Sequence, residues 1–187
     1  MGKVFADRLI VAIDVGTTKI CVLVGQQIDY NRVEIIGIGK SPSDGLKKGV
    51  VVDIARTVHS IKKAVKEAEI TSGCTIESAY VGISGGHIRS INAHGMVPIK
   101  GGFVHPIDIT NVLDAAKAIS IPEGHYLLHV LSQYFTIDNS ERVHNPLGMH
   151  GLRLQVQAHL VTGAIASAQN LIKCCEIAGI TVLDIVL

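Results

Sequence analysis

The chain has 187 residues, 48% of them apolar and 18% charged, with a formal net charge of +1. That composition is globular, with enough length for a real core in one domain or two small ones, and it excludes a disordered chain. The near-zero charge without blocks of one sign leaves no footprint for nucleic acid, and every apolar run stops short of the roughly 20 residues that a membrane-spanning helix needs. The opening MGKVFADR lacks a signal-peptide core. Cys21, Cys74, Cys174 and Cys175 show no metal-type spacing, so the chain reads as cytoplasmic with reduced thiols.

The first stretch, LIVAIDVGTTKICVLVG at 9–25, reads as a β-hairpin. Residues 9–13 are a β-branched run closed by Asp14, Gly16 gives the freedom for a sharp reversal, and 20–24 runs back. In such a turn, backbone N–H groups and the hydroxyls of Thr17 and Thr18 converge on phosphate oxygens, Lys19 adds a point charge, and Asp14 holds a hydrated Mg²⁺. The same letters also spell an ordinary hairpin turn with an exposed Asp and Lys. A third strand at 33–39 follows a polar turn at 29–32 and completes an antiparallel meander; 41–49 is a loop. Asp53 is an N-cap, and Ile54, Val58, Ile61, Val65 and Ala68 recur at helical spacing over 53–70, opposite Lys62, Lys63, Lys66 and Glu69. These lysines, with Lys47 and Lys48, read as solvated surface. A fourth strand, 78–83, ends in Ser84-Gly85-Gly86, a glycine hinge rather than a catalytic pair of Ser84 and His87.

The pattern then changes. Residues 88–99 alternate weakly, 100–102 form a flexible turn, and a helix starts near Asp108 or Thr110 and runs to Ser120 with Ile109, Val112, Leu113, Ala116 and Ile119 on one face. Residues 125–137 are extended, 140–151 are a loop, and 152–163 alternate as a strand with one buried face. A second amphipathic helix spans 164–178 with Gly179 as its C′ residue, Cys174 and Cys175 being packing residues on it, and 181–187 is a last apolar strand. A block inserted after the fourth strand predicts a small α+β subdomain mounted on a larger α/β lobe.

The turn D-x-G-T-T-K at 14–19 resembles the first phosphate loop of the actin superfamily, which includes actins, sugar kinases and heat-shock-protein ATPases. Other segments resemble one branch, the bacterial cell-division FtsA family: VAIDVGTTK at 11–19, SDGLKKGVVVDI at 43–54, YVGISGGHI at 80–88, HGMVPI at 94–99, LLHVLSQYFTID at 127–138, NPLGMHGLRL at 145–154 and AHLVTG at 158–163. One departure is Ser132, where the family usually has proline, which questions a local kink. The resemblance implies an actin-like, ribonuclease-H-like first lobe (subdomain 1A) from 1–86 and 163–187, incomplete at its C-terminus, with an inserted subdomain of 1C type at 87–162. It implies that Asp14, Gly16, Thr17, Thr18 and Lys19 contact the triphosphate of ATP, with Asp14 on Mg through water, weakly or not at all in this chain alone. It further implies filament-forming self-association, linkage of FtsZ to the cytoplasmic face of the inner membrane, recruitment of later division proteins through the insert, and at most slow ATP hydrolysis. The second lobe, the FtsZ-binding surface and a C-terminal amphipathic membrane helix would lie beyond Leu187, making the chain an N-terminal fragment. A pilus-assembly ATPase or a phosphotransferase of the sugar-kinase type is the alternative, and the discriminator is whether 87–162 packs as its own sheet-and-helix module.

Of the nine histidines, His125 and His129 are four apart, with His144 and His150 in the following loop, and no carboxylate or Cys partner completes a ligand set. Structural imidazoles are the expectation. The apolar run at 182–187, uncovered by any later helix, predicts a frayed end, marginal stability or self-association, and sedimentation with thermal melting checks it: a monomeric, highly stable chain contradicts it.

Overall fold

In the computed structural model, which describes residues 9–119 and 121–187, the first three apolar runs are strands β1 (Leu9–Val15), β2 (Lys19–Asp29) and β3 (Arg32–Pro42). The segment MGKVFADR and Ser120, the expected end of the second helix, lie outside the described residues. β1 pairs antiparallel with β2, and β2 with β3, forming the meander. The segment expected as a plain loop carries a small ribbon, β4 (Leu46–Lys47) and β5 (Val50–Val51). Two-residue strands are too short to show a period, so no hydrophobic alternation marks them.

Helix α1 (Ile54–Ser72) begins as its cap predicts: Asp53 Oδ1 accepts from the Arg56 N–H at 3.0 Å, and the helix ends at Gly73 with φ 70°. Its buried face is Val58, Ile61, Ala64, Val65 and Ala68; Ile54 remains exposed. β6 (Ser78–Gly82) then enters the first sheet parallel to β1. After the inserted segment, α3 (Ile165–Ile177) leads to β10 (Thr181–Val186), parallel to β6. The sheet order is β10-β6-β1-β2-β3. Three antiparallel strands followed by two parallel ones give the actin-like, ribonuclease-H-like lobe.

One register row, Gly39-Val22-Ile13-Val81-Ile185, crosses the whole sheet and is buried. It faces α1 because glycine admits the helix: a Cβ on Gly39 would lie 1.9 Å from the Ala64 carbonyl oxygen and 2.5 Å from the Ala68 nitrogen. The opposite face carries Ile38, Ala12 and Tyr80, all exposed.

The second compact unit is Ile88–Gly163, the first being the chain up to His87 with Ala164–Leu187. It holds β7 (Arg89–Pro98), α2 (Pro106–Lys117), β8 (His125–Ile137) and β9 (Arg153–Ala164), with sheet order β7-β9-β8. Helix α2 starts earlier than the apolar spacing predicts, because Pro106 fits the first helical turn and the Asp108 carboxylate accepts from the His105 N–H at 2.9 Å. β8 runs unbroken through Ser132, so the kink that a proline would bring is absent here. The unit has a core of its own: Val104, Val112, Phe135, Leu154, Val156 and Leu160 pack with Ala93, Ala116 and Ala158. Gly95 does for α2 what Gly39 does for α1, since a Cβ there would sit 2.1 Å from the Val112 carbonyl oxygen. The 138–152 loop is tied down by Asp138, whose carboxylate accepts from the N–H groups of Leu152 and Arg153. Among the described residues no helix is long and apolar enough to cross a membrane.

Gly39→Ala should destabilise the chain by at least about 3 kcal/mol in urea unfolding, because overpacking against rigid backbone exceeds the usual cost of an added methyl. Gly73→Ala, with nothing within 4 Å of the new methyl, should lose only about 1 kcal/mol from its left-handed backbone.

Candidate functional site

The Asp14–Lys19 turn is built at the carboxyl edge of three parallel strands. Asp14 on β1 stands level with Gly82 on β6, which stands level with Val186 on β10. Open α/β sheets bind ligands outside this edge. β1 runs one residue beyond Asp14, since Val15 pairs with Ile20, and the reversal is Gly16-Thr17-Thr18. The structure therefore brings Asp14, Gly16, Thr17, Thr18 and Lys19 together on one hairpin, with all but Gly16 exposed.

The hairpin already uses some of the groups that the sequence assigns to a ligand. The Gly16 N–H donates to the Lys19 carbonyl at 3.0 Å, closing the turn, so it is not a phosphate donor. The Thr18 carbonyl accepts from the Ser43 N–H at 3.1 Å. The Thr17 hydroxyl oxygen accepts from the Gly49 N–H at 3.0 Å, which leaves its hydrogen to donate outward. What remains for an anion is the Thr18 hydroxyl, the Thr17 hydroxyl hydrogen, the Lys19 ammonium and the outer backbone N–H groups. Asp14 is exposed, none of the ion pairs among the described residues engages it, and Gly82 beside it has no side chain. A carboxylate in that setting suits a hydrated divalent cation. The residue set thus fits Mg²⁺ with a polyphosphate: Asp14 to the cation's waters, Thr17, Thr18 and Lys19 to phosphate oxygens.

Gly49 is the site residue that sequence reasoning missed. With Lys48 it forms the two-residue turn of the β4–β5 ribbon, both at positive φ, 52° and 79°. Glycine at 49 is required twice over: by that φ, and because a Cβ would lie 2.1 Å from the Ser84 carbonyl oxygen. The ribbon is in turn fixed to the start of α1, where Val52 and Asp53 donate to the Gly45 carbonyl and Asp44 N–H donates to Ser60 Oγ at 3.2 Å. The signal was the pair Lys-Gly between short apolar runs in LKKGVV, legible as a hairpin turn only once both flanks are taken as strands.

A second concavity, of about 950 Å³, lies on the three-stranded sheet and is lined by His94, Met96, Tyr134, Arg142, Gln155 and Gln157 among others. Arg142 stacks over the Tyr134 ring at 4.3 Å, and Thr136 Oγ1 donates to Gln155 Oε1 at 3.1 Å. Among the described residues no group of three or more His, Cys, Asp or Glu is placed to hold a metal. His125 and His129 lie on β8, and His150 packs edge-on against Phe103 with ring centroids 5.1 Å apart.

The SHS2 domain inserted in FtsA matches residues 85–162. Over its whole length the chain is 49% identical to the cell division protein FtsA of Pseudomonas aeruginosa, covering 45% of that protein. It is 40% identical to that of Neisseria meningitidis over 93% of the chain and 42% of the relative, and 38% identical to that of Escherichia coli over 97% and 43%. The chain therefore spans less than half the length of these curated relatives. Among solved structures, a chain of the PilM-PilN type IV pilus biogenesis complex superposes with a TM-score of 0.62 over 94% of this chain and 46% of that one, at 14% identity. At that identity the likeness is one of fold.

The thiols of α3 are shielded. Burial raises the Cys174 pKa, and burial, then neighbouring Cys174 and Glu176, push Cys175 up to about 12. A thiol held neutral in the fold but free to ionise when unfolded stabilises fully below its ordinary range and loses that contribution as pH rises from about 9 toward 12. The denaturation midpoint should fall over that window and flatten in Cys175→Ala, while at pH near 8 a thiol reagent should label half-exposed Cys21 and Cys74 well before Cys174 and Cys175.

Proposed function

The chain belongs to the FtsA family of cell-division proteins, and from that premise we propose that it supplies the first phosphate loop of an ATP cleft together with the family's partner-recruiting insert. The observation that carries the ATP half is the closed hairpin at the carboxyl edge of β1, β6 and β10, with Thr17 braced by Gly49 and Asp14 left for a hydrated cation. In the whole protein, Asp14 holds Mg²⁺ through water and Thr17, Thr18 and Lys19 hold the triphosphate from one side, while a second lobe closes from the other. ATP binding then regulates assembly into filaments, and hydrolysis, where it occurs, is slow. The remaining length of the protein contributes the FtsZ contact and an amphipathic anchor to the cytoplasmic face of the inner membrane, so that the protein ties FtsZ assembly to the membrane.

The insert carries recruitment of later division proteins. Its own core and its separate sheet support this, since a module with those properties is free to present a surface. The polar, aromatic-flanked concavity around Tyr134, Arg142 and Gln157 is the part of that surface suited to a peptide with its own polar groups. The pilus-assembly alternative draws on a fold likeness at 14% identity alone, whereas the SHS2 match falls on the insert itself.

Donors on one side of a clamp bind weakly. Calorimetric titration of Mg-ATP into this chain should give a Kd no tighter than about 1 mM, roughly 4 kcal/mol. A micromolar Kd would refute the half-clamp. In a chain of the relatives' full length the affinity should rise steeply, and Asp14→Asn should remove its Mg²⁺ dependence.

A further inference from the structure

The turn Lys48-Gly49 presents a problem that the fold alone does not explain. A two-residue hairpin with both central residues at positive φ favours Asn, Asp or Gly at its first position, because a Cβ at left-handed backbone crowds the following carbonyl. Here that position is a lysine at φ 52°, one of three non-glycine residues at positive φ among those described. The other two are Asp138 and Asn139, the types that tolerate it. Strained backbone of this kind persists where its surroundings hold it in place, and it concentrates at functional sites.

The surroundings here are explicit. Gly49, the next residue, donates its N–H to Thr17 Oγ1 at 3.0 Å, and it is seated so closely on Ser84 that no side chain fits. On the strand side, Ser43 N–H donates to the Thr18 carbonyl at 3.1 Å. The 43–49 segment is thus fastened to the turn at two points, one before the ribbon and one within it, and the second holds Lys48 beside Thr17. Lys48 is exposed, and none of the ion pairs among the described residues occupies it. Its four-carbon stem spans more than the one-residue gap between its own Cα and the Gly49 amide that touches Thr17.

Resting on the phosphate-turn reading above, we propose that Lys48 is a further phosphate-binding residue, a second cation beside Lys19 presented by the β4–β5 turn to the polyphosphate. The turn's hydrogen bond to Thr17 makes the two cations one unit: the contact that orients the Thr17 hydroxyl also sets the position of Lys48. The chemistry recognised is a chain of phosphates, common to a nucleoside triphosphate and to inorganic tripolyphosphate.

The test is a titration of this chain, followed by amide chemical shifts of Thr17, Lys19 and Gly49, which measures millimolar binding. The probes are Mg-ATP and inorganic tripolyphosphate. Lys48→Asn keeps and favours the turn's backbone while removing the charge, so its melting temperature should hold or rise while its Kd for both probes weakens about tenfold, the scale of one charge-assisted contact. Lys48→Arg should retain binding within about twofold, and Lys47→Ala should leave it unchanged. Wild-type Kd values retained in Lys48→Asn would overturn the proposal, and so would equal losses in Lys47→Ala and Lys48→Asn, which would mark a bulk charge effect. Failure of Thr17 and Lys19 to shift with either probe both in this chain and in a chain of the relatives' full length would instead sink the phosphate-turn reading, and Lys48 with it. Weakening toward Mg-ATP but not tripolyphosphate would place the lysine on the nucleoside and overturn the phosphate assignment.

Discussion

The seat of α1 on β3 is the constraint from which the rest of the first lobe follows. With no side chain at Gly39, the helix backbone comes down to contact with the strand, and the row Val22-Ile13-Val81 beneath it is sealed from water. At its N-terminal end the helix is tied to the segment before it. From that end, Asp53 caps the helix, Gly45 receives two backbone hydrogen bonds, and Ser60 holds Asp44. The 43–53 segment, thus anchored, reaches back to the 14–19 turn through Ser43 and Gly49. A packing contact in the core therefore sets the geometry of a surface turn through a short series of backbone hydrogen bonds.

The insert uses the same device with different residues. Gly95 brings α2 onto β7, and the core that results contains Val112, Ala116, Leu154 and Val156. The segments by which the family is recognised gain physical content from this. HGMVPI contains the glycine under the helix, and the 145–154 segment contains Gly151, whose missing side chain leaves room for Ile137 and Asp138. Asp138 then holds Leu152 and Arg153 at the entry to β9.

The buried cysteines show how residues can look chemical in sequence and be structural in the fold. Cys174 and Cys175 are adjacent and fully buried on α3, and the shift of Cys175 toward 12 leaves it no nucleophilic character at neutral pH. Asp14 is the contrast: a carboxylate on the exposed face of the alternating strand β1, two residues from exposed Ala12, with Cys21 and Gly82, one small and one without a side chain, beside it in register.

The sequence by itself determined the meander, the capped helix from Asp53, the insert as a change of pattern, the two further helices of period 3.6, and the D-x-G-T-T-K turn with its five candidate residues. Each of these rests on local physics: alternation, capping and turn chemistry act over a few residues and leave a legible trace. The early start of α2 was legible too, in Pro106 with Asp108, but the apolar spacing outweighed it. Tertiary structure alone decided the β4–β5 ribbon, the use of Gly16 N–H inside the turn, and the bond from Gly49 to Thr17 across 32 residues. Only the last of these joins distant segments; the ribbon and the Gly16 bond are local, but strands of two residues show no period, and which backbone groups pair is set by which remain free after folding, so none of the three leaves a periodic mark in the sequence.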